Sequence, residues 1–187
     1  MAITAIDQNV ALIAVDMQQG ILGFAPESEA QRIIQNTTRI ADELHRRGLP
    51  VVWVRALGMP EGRKQINPPV GEPDENFAAP AEGLPIDESL DLEVFKKALS
   101  GFTQPALHEF LQKHNVTQVL ITGLAAGVGV ESTARSAFDH GYNVVVVSDG
   151  LTDPDPERMA NSLQRTMPAF SEIGTTEDVL AQLNEAR

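Results

Sequence analysis

The sequence contains no cysteine, and it has few basic residues. The missing cysteine excludes disulfide bonds, thiolate metal ligands and thiol nucleophiles together. Lys and Arg total 14 against 26 Asp and Glu, which gives a formal net charge of −12. A negative surface repels phosphate backbones and anionic lipids. We therefore expect neither nucleic acid nor a membrane among the partners.

Long apolar runs are also missing from the sequence. No uninterrupted run approaches the roughly 20 residues of a membrane span. The opening residues, MAITAIDQNV, have neither the basic region nor the apolar region of a secretion signal, so we expect a soluble, cytoplasmic protein. A chain of 187 residues with 42% hydrophobic content can bury one sizeable core. We expect a single domain over residues 1–187.

Apolar, β-branched runs alternate along the chain with longer amphipathic segments. This alternation predicts an α/β fold with a doubly wound parallel sheet between two layers of helices. The predicted strands cover 9–17, 50–57, 116–124 and 142–150, with a short strand within 93–102. The predicted helices cover 27–48, 104–115, 129–141, 155–167 and 175–186. Residues 58–92 are rich in proline and glycine, and they predict a long functional loop.

Chemically useful side chains fall at the predicted ends of the strands. Asp16 ends the first strand, Arg55 ends the second, Lys96 lies in the third, and a small-residue turn at 123–129 ends the next. In a doubly wound sheet, ligands bind outside the carboxyl ends of the strands. Burial raises the pKa of a carboxyl group and a nearby lysine lowers it, so Asp16 could act as a general acid or base.

Simpler interpretations of both residues stay open. Asp16 could cap a helix or hold a loop through hydrogen bonds. Lys96 could be a solvated amine, because adjacent lysines such as Lys96 and Lys97 are common on surfaces.

Three segments carry a family resemblance: ALIAVDMQQGIL, VFKKALSGF and LITGLAAGVGVESTARSAFDHGYNVVVVSDG. Together with their spacing, they resemble the isochorismatase-like hydrolases of the cysteine hydrolase superfamily, which also includes nicotinamidases and N-carbamoylsarcosine amidases. The resemblance spans nearly the whole chain and implies the same doubly wound α/β fold. It also implies a catalytic site, because the amidases of the family use an Asp, Lys, Cys triad.

The resemblance places each member of that triad on this sequence. The family's aspartate, in a D-x-Q pattern, falls on Asp16 and Gln18, and its lysine, four residues before an S-[AG]-F turn, falls on Lys96. Its cysteine, four residues before a Thr-Ala pair, falls on Gly129. Glycine has no nucleophilic side chain, so we do not expect covalent amide hydrolysis. We expect the Asp16 carboxyl to lie near Lys96 and beside Gly129, with room where a cysteine side chain would stand.

Isochorismatases of the family resemble this chain in accepting glycine at that position. They hydrolyse a vinyl ether, a reaction that needs a proton donor and water but no protein nucleophile, so the resemblance implies Asp16 as the donor and Lys96 as its electrostatic partner. The alternative is an inactive member that serves as a binding or oligomeric scaffold. A nucleotide or flavin binder is disfavoured, because DMQQGILGF lacks a glycine-rich phosphate loop. We expect no cofactor.

The substrate side of the resemblance is incomplete. Isochorismatases carry an A-Q-P run after the second strand, where this chain has VRALGMPEGRK. Arg55, Arg63 and Lys64 could bind a substrate carboxylate instead. For Arg63 and Lys64, a place on a solvated loop is the favoured interpretation. The Asp-x-His metal site of nicotinamidases has no counterpart. The histidines, His45, His108, His114 and His140, fit packing at helix ends, so we expect no metal.

Two further expectations follow from the resemblance. The peptide between Leu124 and Ala125 should be cis, which would turn the N–H groups of Ala125 and Gly129 toward the substrate as oxyanion donors. The protein should also be a homo-oligomer, because the segment LAAGVGVESTARSAF is unusually apolar for an exposed helix.

Overall fold

The computed structural model describes residues 3–66 and 76–185. Its strands are β1 (Val10–Val15), β2 (Val51–Ala56), β3 (Leu92–Lys96), β4 (Gln118–Leu124), β5 (Asn143–Thr152) and β6 (Glu172–Gly174). They form one sheet in the order β3-β2-β1-β4-β5-β6, and every pairing is parallel. The winding reverses between β1 and β4, which is the switch point of a doubly wound sheet. The predicted α/β fold is therefore confirmed.

The helices follow the strands on both faces of the sheet. They are α1 (Gln19–Leu22), α2 (Glu27–Arg46), α3 (Pro105–Lys113), α4 (Glu131–Asp139), α5 (Pro156–Asn161) and α6 (Thr176–Glu185). Single turns of π-helix occupy Ala126–Val130 and Ser162–Thr166, and single turns of 3₁₀ helix occupy Gly101–Thr103 and Met167–Ala169. Sequence patterning did not predict α1 or β6, because segments of three or four residues are too short to show a periodicity.

Two hydrophobic cores lie on opposite faces of the sheet, since successive strand residues point to opposite sides. One face packs against α3 and α4 and includes Ile13, Val54, Val94, Ile121, Leu107 and Ala134. The other packs against α2 and α6 and includes Leu12, Trp53, Leu120, Ile33, Ile40 and Val179. The central strands are covered on both faces, which explains why β1 and β4 read as continuous apolar runs.

The long loop after β2 is tied down at its far end by Asp91. The Asp91 side chain is 1% exposed, and its carboxylate accepts hydrogen bonds from the Val51 N–H at 3.0 Å and the Trp53 indole N–H at 2.8 Å. It also pairs with His45 at the end of α2. Residues 67–75 of the predicted functional loop lie outside the described residues. None of the helices in the described part of the chain is both long and apolar enough to cross a membrane.

Candidate active site

Asp16 stands at the switch point, directly after β1. Its backbone has φ = 55°, in the left-handed region that non-glycine residues seldom occupy. The Asp16 N–H donates to the Val54 carbonyl at 2.7 Å, and its own carbonyl accepts from Gln18 N–H at 2.9 Å. Backbone strain of this kind concentrates at functional sites, where the surrounding structure holds it in place.

Lys96 reaches Asp16 across the end of β2. The Lys96 Nζ lies 2.8 Å from Asp16 Oδ2, and the two side chains are 2% and 8% exposed. Asp16 Oδ1 is buried and makes no hydrogen bond within the described part of the chain. The predicted contact is therefore confirmed, and Lys96 satisfies only one of the two carboxyl oxygens.

Burial dominates the protonation of Asp16. It raises the pKa of the carboxyl group from 3.8 to about 6, although the charge and hydrogen bond of Lys96 pull the pKa down. At pH 7 roughly one tenth of such a group is protonated. A carboxyl group poised near neutral pH can donate a proton in catalysis far better than an ordinary surface aspartate.

Gly129 faces the Asp16 carboxyl from the turn Ala126–Val130. A Cβ atom built on Gly129 would lie 3.1 Å from Asp16 Oδ2, 3.4 Å from Val15 Cγ1 and 3.6 Å from the Leu99 carbonyl oxygen. The predicted proximity of Gly129 to the Asp16 carboxyl is confirmed. The space expected in place of a cysteine side chain is narrow, however, because even a methyl group on Gly129 would press on the carboxyl. The absence of a side chain therefore lets the acid approach the turn.

The turn begins with a cis peptide between Leu124 and Ala125, as the resemblance predicted. Leu124 is buried and Ala125 is half-buried. The Ala125 carbonyl accepts hydrogen bonds from the N–H groups of Val128 and Val130 at 3.0 and 3.2 Å. A role for Leu124 and Ala125 in binding substrate stays a prediction.

Thr133 connects the two halves of the site. Its hydroxyl donates to the Gly129 carbonyl at 2.7 Å and accepts from the Gly101 N–H at 3.1 Å. Beside it, the Ser100 hydroxyl donates to Ser136 Oγ at 2.9 Å. The turn that follows Lys96 is thereby joined to the turn that holds Gly129. Sequence reasoning used Thr133 only as a marker of the motif and missed this function.

Gln18 has a different environment from the one expected of a substrate ligand. It is fully buried, and its amide oxygen accepts from the Ala56 N–H at 2.6 Å. Its amide nitrogen donates to the carbonyls of Ala56 at 3.0 Å and Phe77 at 2.8 Å. These contacts tie the ends of β1 and β2 to the returning loop. They favour a structural role for Gln18, and its role in substrate binding stays a prediction.

Arg55 is not brought to the Asp16–Lys96 pair. In the register of β2 and β3, Arg55 pairs with Phe95 and Ala56 pairs with Lys96. Because neighbouring strand residues point to opposite faces, Arg55 and Lys96 lie on opposite sides of the sheet. The guanidinium group forms an ion pair with Glu93, donates to the Ala78 carbonyl at 3.0 Å and lies 4.7 Å above the Phe95 ring. These contacts favour a structural role, and the substrate role of Arg55 stays a prediction.

Arg63 and Lys64, the remaining candidates for substrate binding, are exposed. Within residues 3–66 and 76–185, no group of three or more His, Asp or Glu side chains is arranged to hold a metal ion. His108 accepts or donates a hydrogen bond with the Tyr142 hydroxyl at 2.8 Å, and its ring stacks on His140 with centroids 4.3 Å apart.

The fold and the site together define a doubly wound α/β protein with a buried acid–lysine pair at its switch point. The family model described as Isochorismatase domain matches residues 10–178. The chain therefore belongs to the isochorismatase family of hydrolases, as its motifs indicated.

The relatives match along most of their length. The chain is similar to the solved structure of an isochorismatase family protein from Burkholderia thailandensis, with 30% identity, a TM-score of 0.88, and coverage of 96% of this chain and 98% of that one. An uncharacterised isochorismatase family protein of Escherichia coli O157:H7 is 27% identical over 94% of this chain and 97% of its own. An Arabidopsis thaliana protein described as a "probable inactive nicotinamidase" is 26% identical over 80% of this chain and 84% of its own.

Proposed function

We propose that this protein hydrolyses a small carboxylated enol ether by general acid catalysis on Asp16, with no covalent intermediate. The Asp16 carboxylic acid protonates the terminal enol carbon, which leaves an oxocarbenium ion. Water adds to that ion and returns a proton to the carboxylate, and the resulting hemiketal separates into an alcohol and a keto acid. For an enolpyruvyl ether such as isochorismate, the keto acid is pyruvate.

The observation that supports this reaction is a buried, protonatable carboxyl group that faces a glycine. Asp16 has the raised pKa of a proton donor and one oxygen without a partner in the described part of the chain. Gly129 stands opposite and supplies no nucleophile. Acid catalysis uses the protonatable carboxyl group of Asp16 and needs no nucleophile at Gly129. Acyl-enzyme chemistry, by contrast, requires a thiol, hydroxyl or amine at that position.

Lys96 completes the reaction scheme. After Asp16 gives up its proton, a buried carboxylate remains, and an isolated buried charge is costly. The Lys96 ammonium group, 2.8 Å away, stabilises that carboxylate until the proton returns. The net result is water consumed, an alcohol and a keto acid released, and Asp16 restored to its acid form.

The substrate class is tested by measuring product release from a panel of small carboxylated enol ethers, amides and esters. We expect pyruvate from isochorismate and no efficient cleavage of amides or esters. Efficient amide hydrolysis by the wild-type protein would show that the interpretation of Gly129 is wrong.

Gly129→Ala tests the close approach of the turn to the acid. The added Cβ would lie 3.1 Å from Asp16 Oδ2 and displace the carboxyl by a few tenths of an ångström. We expect kcat/KM for pyruvate release to fall by about tenfold, because small displacements of catalytic groups strongly lower the reaction rate. Gly23→Ala is the matched control, since Gly23 is exposed and a Cβ there would make only an ordinary contact, 3.6 Å from the Gln19 carbonyl oxygen. Equal activity in Gly129→Ala and Gly23→Ala would contradict a constraint at Gly129.

A second candidate function is an inactive family member that acts as a binding or oligomeric scaffold. The missing nucleophile favours it, as does the similarity to the Arabidopsis thaliana protein described as a "probable inactive nicotinamidase". The substrate panel separates the two functions. If the wild-type protein and Asp16→Asn are equally inert on every compound, the scaffold function replaces the enzymatic one.

Assembly into a homo-oligomer and a cytoplasmic location belong to the same proposal and stay predictions. Phe138 on α4, within the segment whose apolar character suggested an interface, is 52% exposed. An exposed aromatic side chain of this kind is common at protein interfaces.

A further inference from the structure

Asp153 is a buried carboxylate outside the Asp16–Lys96 pair. It follows the end of β5, next to Thr152, which pairs in register with Leu124 at the end of β4. Its side chain is fully buried, and Asp153 Oδ2 accepts a hydrogen bond from the Gly127 N–H at 2.9 Å. Gly127 lies two residues before Gly129 in the same turn. A charged side chain from a neighbouring strand thus holds the backbone of the candidate active-site turn.

Arg158 on α5 keeps this carboxylate in place. Its Nε lies 3.1 Å from both carboxylate oxygens of Asp153, and its terminal nitrogen lies 2.5 Å from Oδ1. The aliphatic part of the Arg158 side chain covers Gly127, where a Cβ atom would lie 3.0 Å from the arginine Cδ. A two-pronged, charge-assisted contact of this kind fixes both distance and direction. Arg158 therefore restrains the turn through the ion pair and through packing.

The other side of the turn is held from the same helix region. The Ser162 hydroxyl is buried and donates to Glu131 Oε2 at 2.5 Å. Glu131 lies two residues after Gly129. Gly129 is therefore bracketed by two anchored positions, Gly127 and Glu131, and both anchors come from the segment that follows β5.

We propose that Asp153, held by Arg158, is a positioning residue that fixes the Gly129 turn against the Asp16 carboxyl. This inference rests on the proposed function only in the measurements of enzyme activity. The titration of Asp16 does not depend on that function. Asp16 is buried, and the turn lies against its carboxyl, since a Cβ atom built on Gly129 would stand 3.1 Å from Asp16 Oδ2. If the anchor is lost, the turn moves away and water reaches the acid. Asp16 then loses both its alignment and the burial that favours its protonated form.

The direction of the Asp16 titration separates positioning from a simple charge effect. Arg158→Ala removes a positive charge, and that removal alone would raise the pKa of a carboxyl group through weaker attraction. Relaxation of the turn would lower the pKa of Asp16 instead, because its burial is what raises that pKa. A decrease in Arg158→Ala is therefore a signature of repositioning.

The experiment follows the Asp16 carboxyl by ¹³C NMR titration in the wild-type protein, Asp153→Ala and Arg158→Ala. We expect the titration midpoint of Asp16 to fall by about one pH unit in both variants. On isochorismate, we expect kcat/KM to fall by about tenfold to a hundredfold, chiefly through kcat. Asp153→Asn, whose amide oxygen still accepts from the Gly127 N–H, should lie between the wild-type protein and Asp153→Ala.

Arg39→Ala is the matched control for these variants. Arg39 forms an ion pair with Glu177, at 2.7 Å, between the helices on the opposite face of the sheet, and both side chains are largely exposed. It should leave the Asp16 titration and kcat/KM unchanged. Arg158→Ala leaves the fully buried Asp153 carboxylate without its cation, whereas Arg158 is 31% exposed and can be hydrated when Asp153 is lost. If Arg158→Ala does not fold, the comparison of Asp153→Ala with Asp153→Asn decides the test, because both variants lose the charge and only asparagine keeps an acceptor for the Gly127 N–H. Equal Asp16 midpoints in these two variants would then overturn the proposal.

An unchanged or raised Asp16 midpoint in folded Arg158→Ala would overturn the proposal. A wild-type protein that releases no pyruvate would refute the proposed function, but the titration would still decide the positioning role, because it needs no substrate.

Discussion

Asp16→Asn is expected to lower kcat/KM for pyruvate release from isochorismate by about 10³-fold, within the range that general acids contribute. Asparagine keeps the size of the side chain and an oxygen for the Lys96 Nζ, which lies 2.8 Å from Asp16 Oδ2 in the wild-type protein. It cannot deliver a proton to the enol carbon. The loss should therefore appear in kcat, while circular dichroism and thermal unfolding show an intact fold.

Asp139→Asn provides the control for this substitution. Asp139 is an exposed aspartate near the end of α4, so the same change of charge occurs on the surface. It should retain wild-type kcat and KM. Full activity in a folded Asp16→Asn protein would exclude Asp16 as the proton donor.

Lys96→Met is expected to move the pH dependence of activity and to reduce the maximal rate. In the wild-type protein, the acid form of Asp16 is needed, so kcat/KM should decline above a pH of about 6, the pKa to which burial raises the group. The Lys96 cation lowers that pKa. Methionine removes the cation, so the pKa of Asp16 rises and the declining limb moves to higher pH. Loss of the charge that stabilises the carboxylate should also lower kcat by about 10²-fold.

Lys97→Met is the matched control for Lys96→Met. Lys97 is the next residue in the chain and is exposed, whereas Lys96 is 2% exposed. It should leave the pH profile in place. A declining limb that stays near pH 6 in Lys96→Met would show that the two side chains are not coupled during the reaction.

The centre of the site was predictable from the sequence because parallel strands end at the same edge of the sheet. Asp16 ends a strand that a long apolar run marks clearly, and the Gly129 turn follows another such strand. Lys96 ends the short strand β3, LEVFK, which has no long apolar run. Once the doubly wound order is known, these ends lie along one edge of the sheet. The direct contact between Asp16 and Lys96 was an implication of the family resemblance, because the strand pattern alone left Lys96 open to interpretation as a solvated surface amine.

The surroundings of the site were less predictable, because they depend on strand register and on contacts between distant segments. Arg55 ends a strand as Asp16 does, yet the register of β2 with β3 places it on the other face from Lys96. The partner of Gln18 is a loop carbonyl, that of Phe77, 59 residues away. Asp153 follows a predicted strand, but its contact with Gly127 joins residues 26 apart in the chain and leaves no local sequence pattern.

The size of the space beside Gly129 could be judged only from the distances between atoms in the structure. A missing cysteine suggested an open volume, whereas Asp16 Oδ2 lies only 3.1 Å from the position that a Cβ atom on Gly129 would take. Side-chain volume lost at one position is often taken up by neighbours, and a sequence does not show which neighbour moves. Here the neighbour is Asp16, the proposed acid, so the position of its carboxyl group depends on the glycine at position 129.

The central claim is that a proton from Asp16, with no covalent intermediate, drives cleavage of an enol ether. The most direct measurement is mass analysis of the pyruvate released from isochorismate in D₂O, by the wild-type protein and by Asp16→Asn. Free pyruvate incubated in the same buffer corrects for spontaneous exchange. We expect the wild-type protein to release pyruvate with one deuterium in its methyl group, and Asp16→Asn to release almost none. Equal release of labelled pyruvate by the two proteins, or no release by the wild-type protein, would contradict the claim.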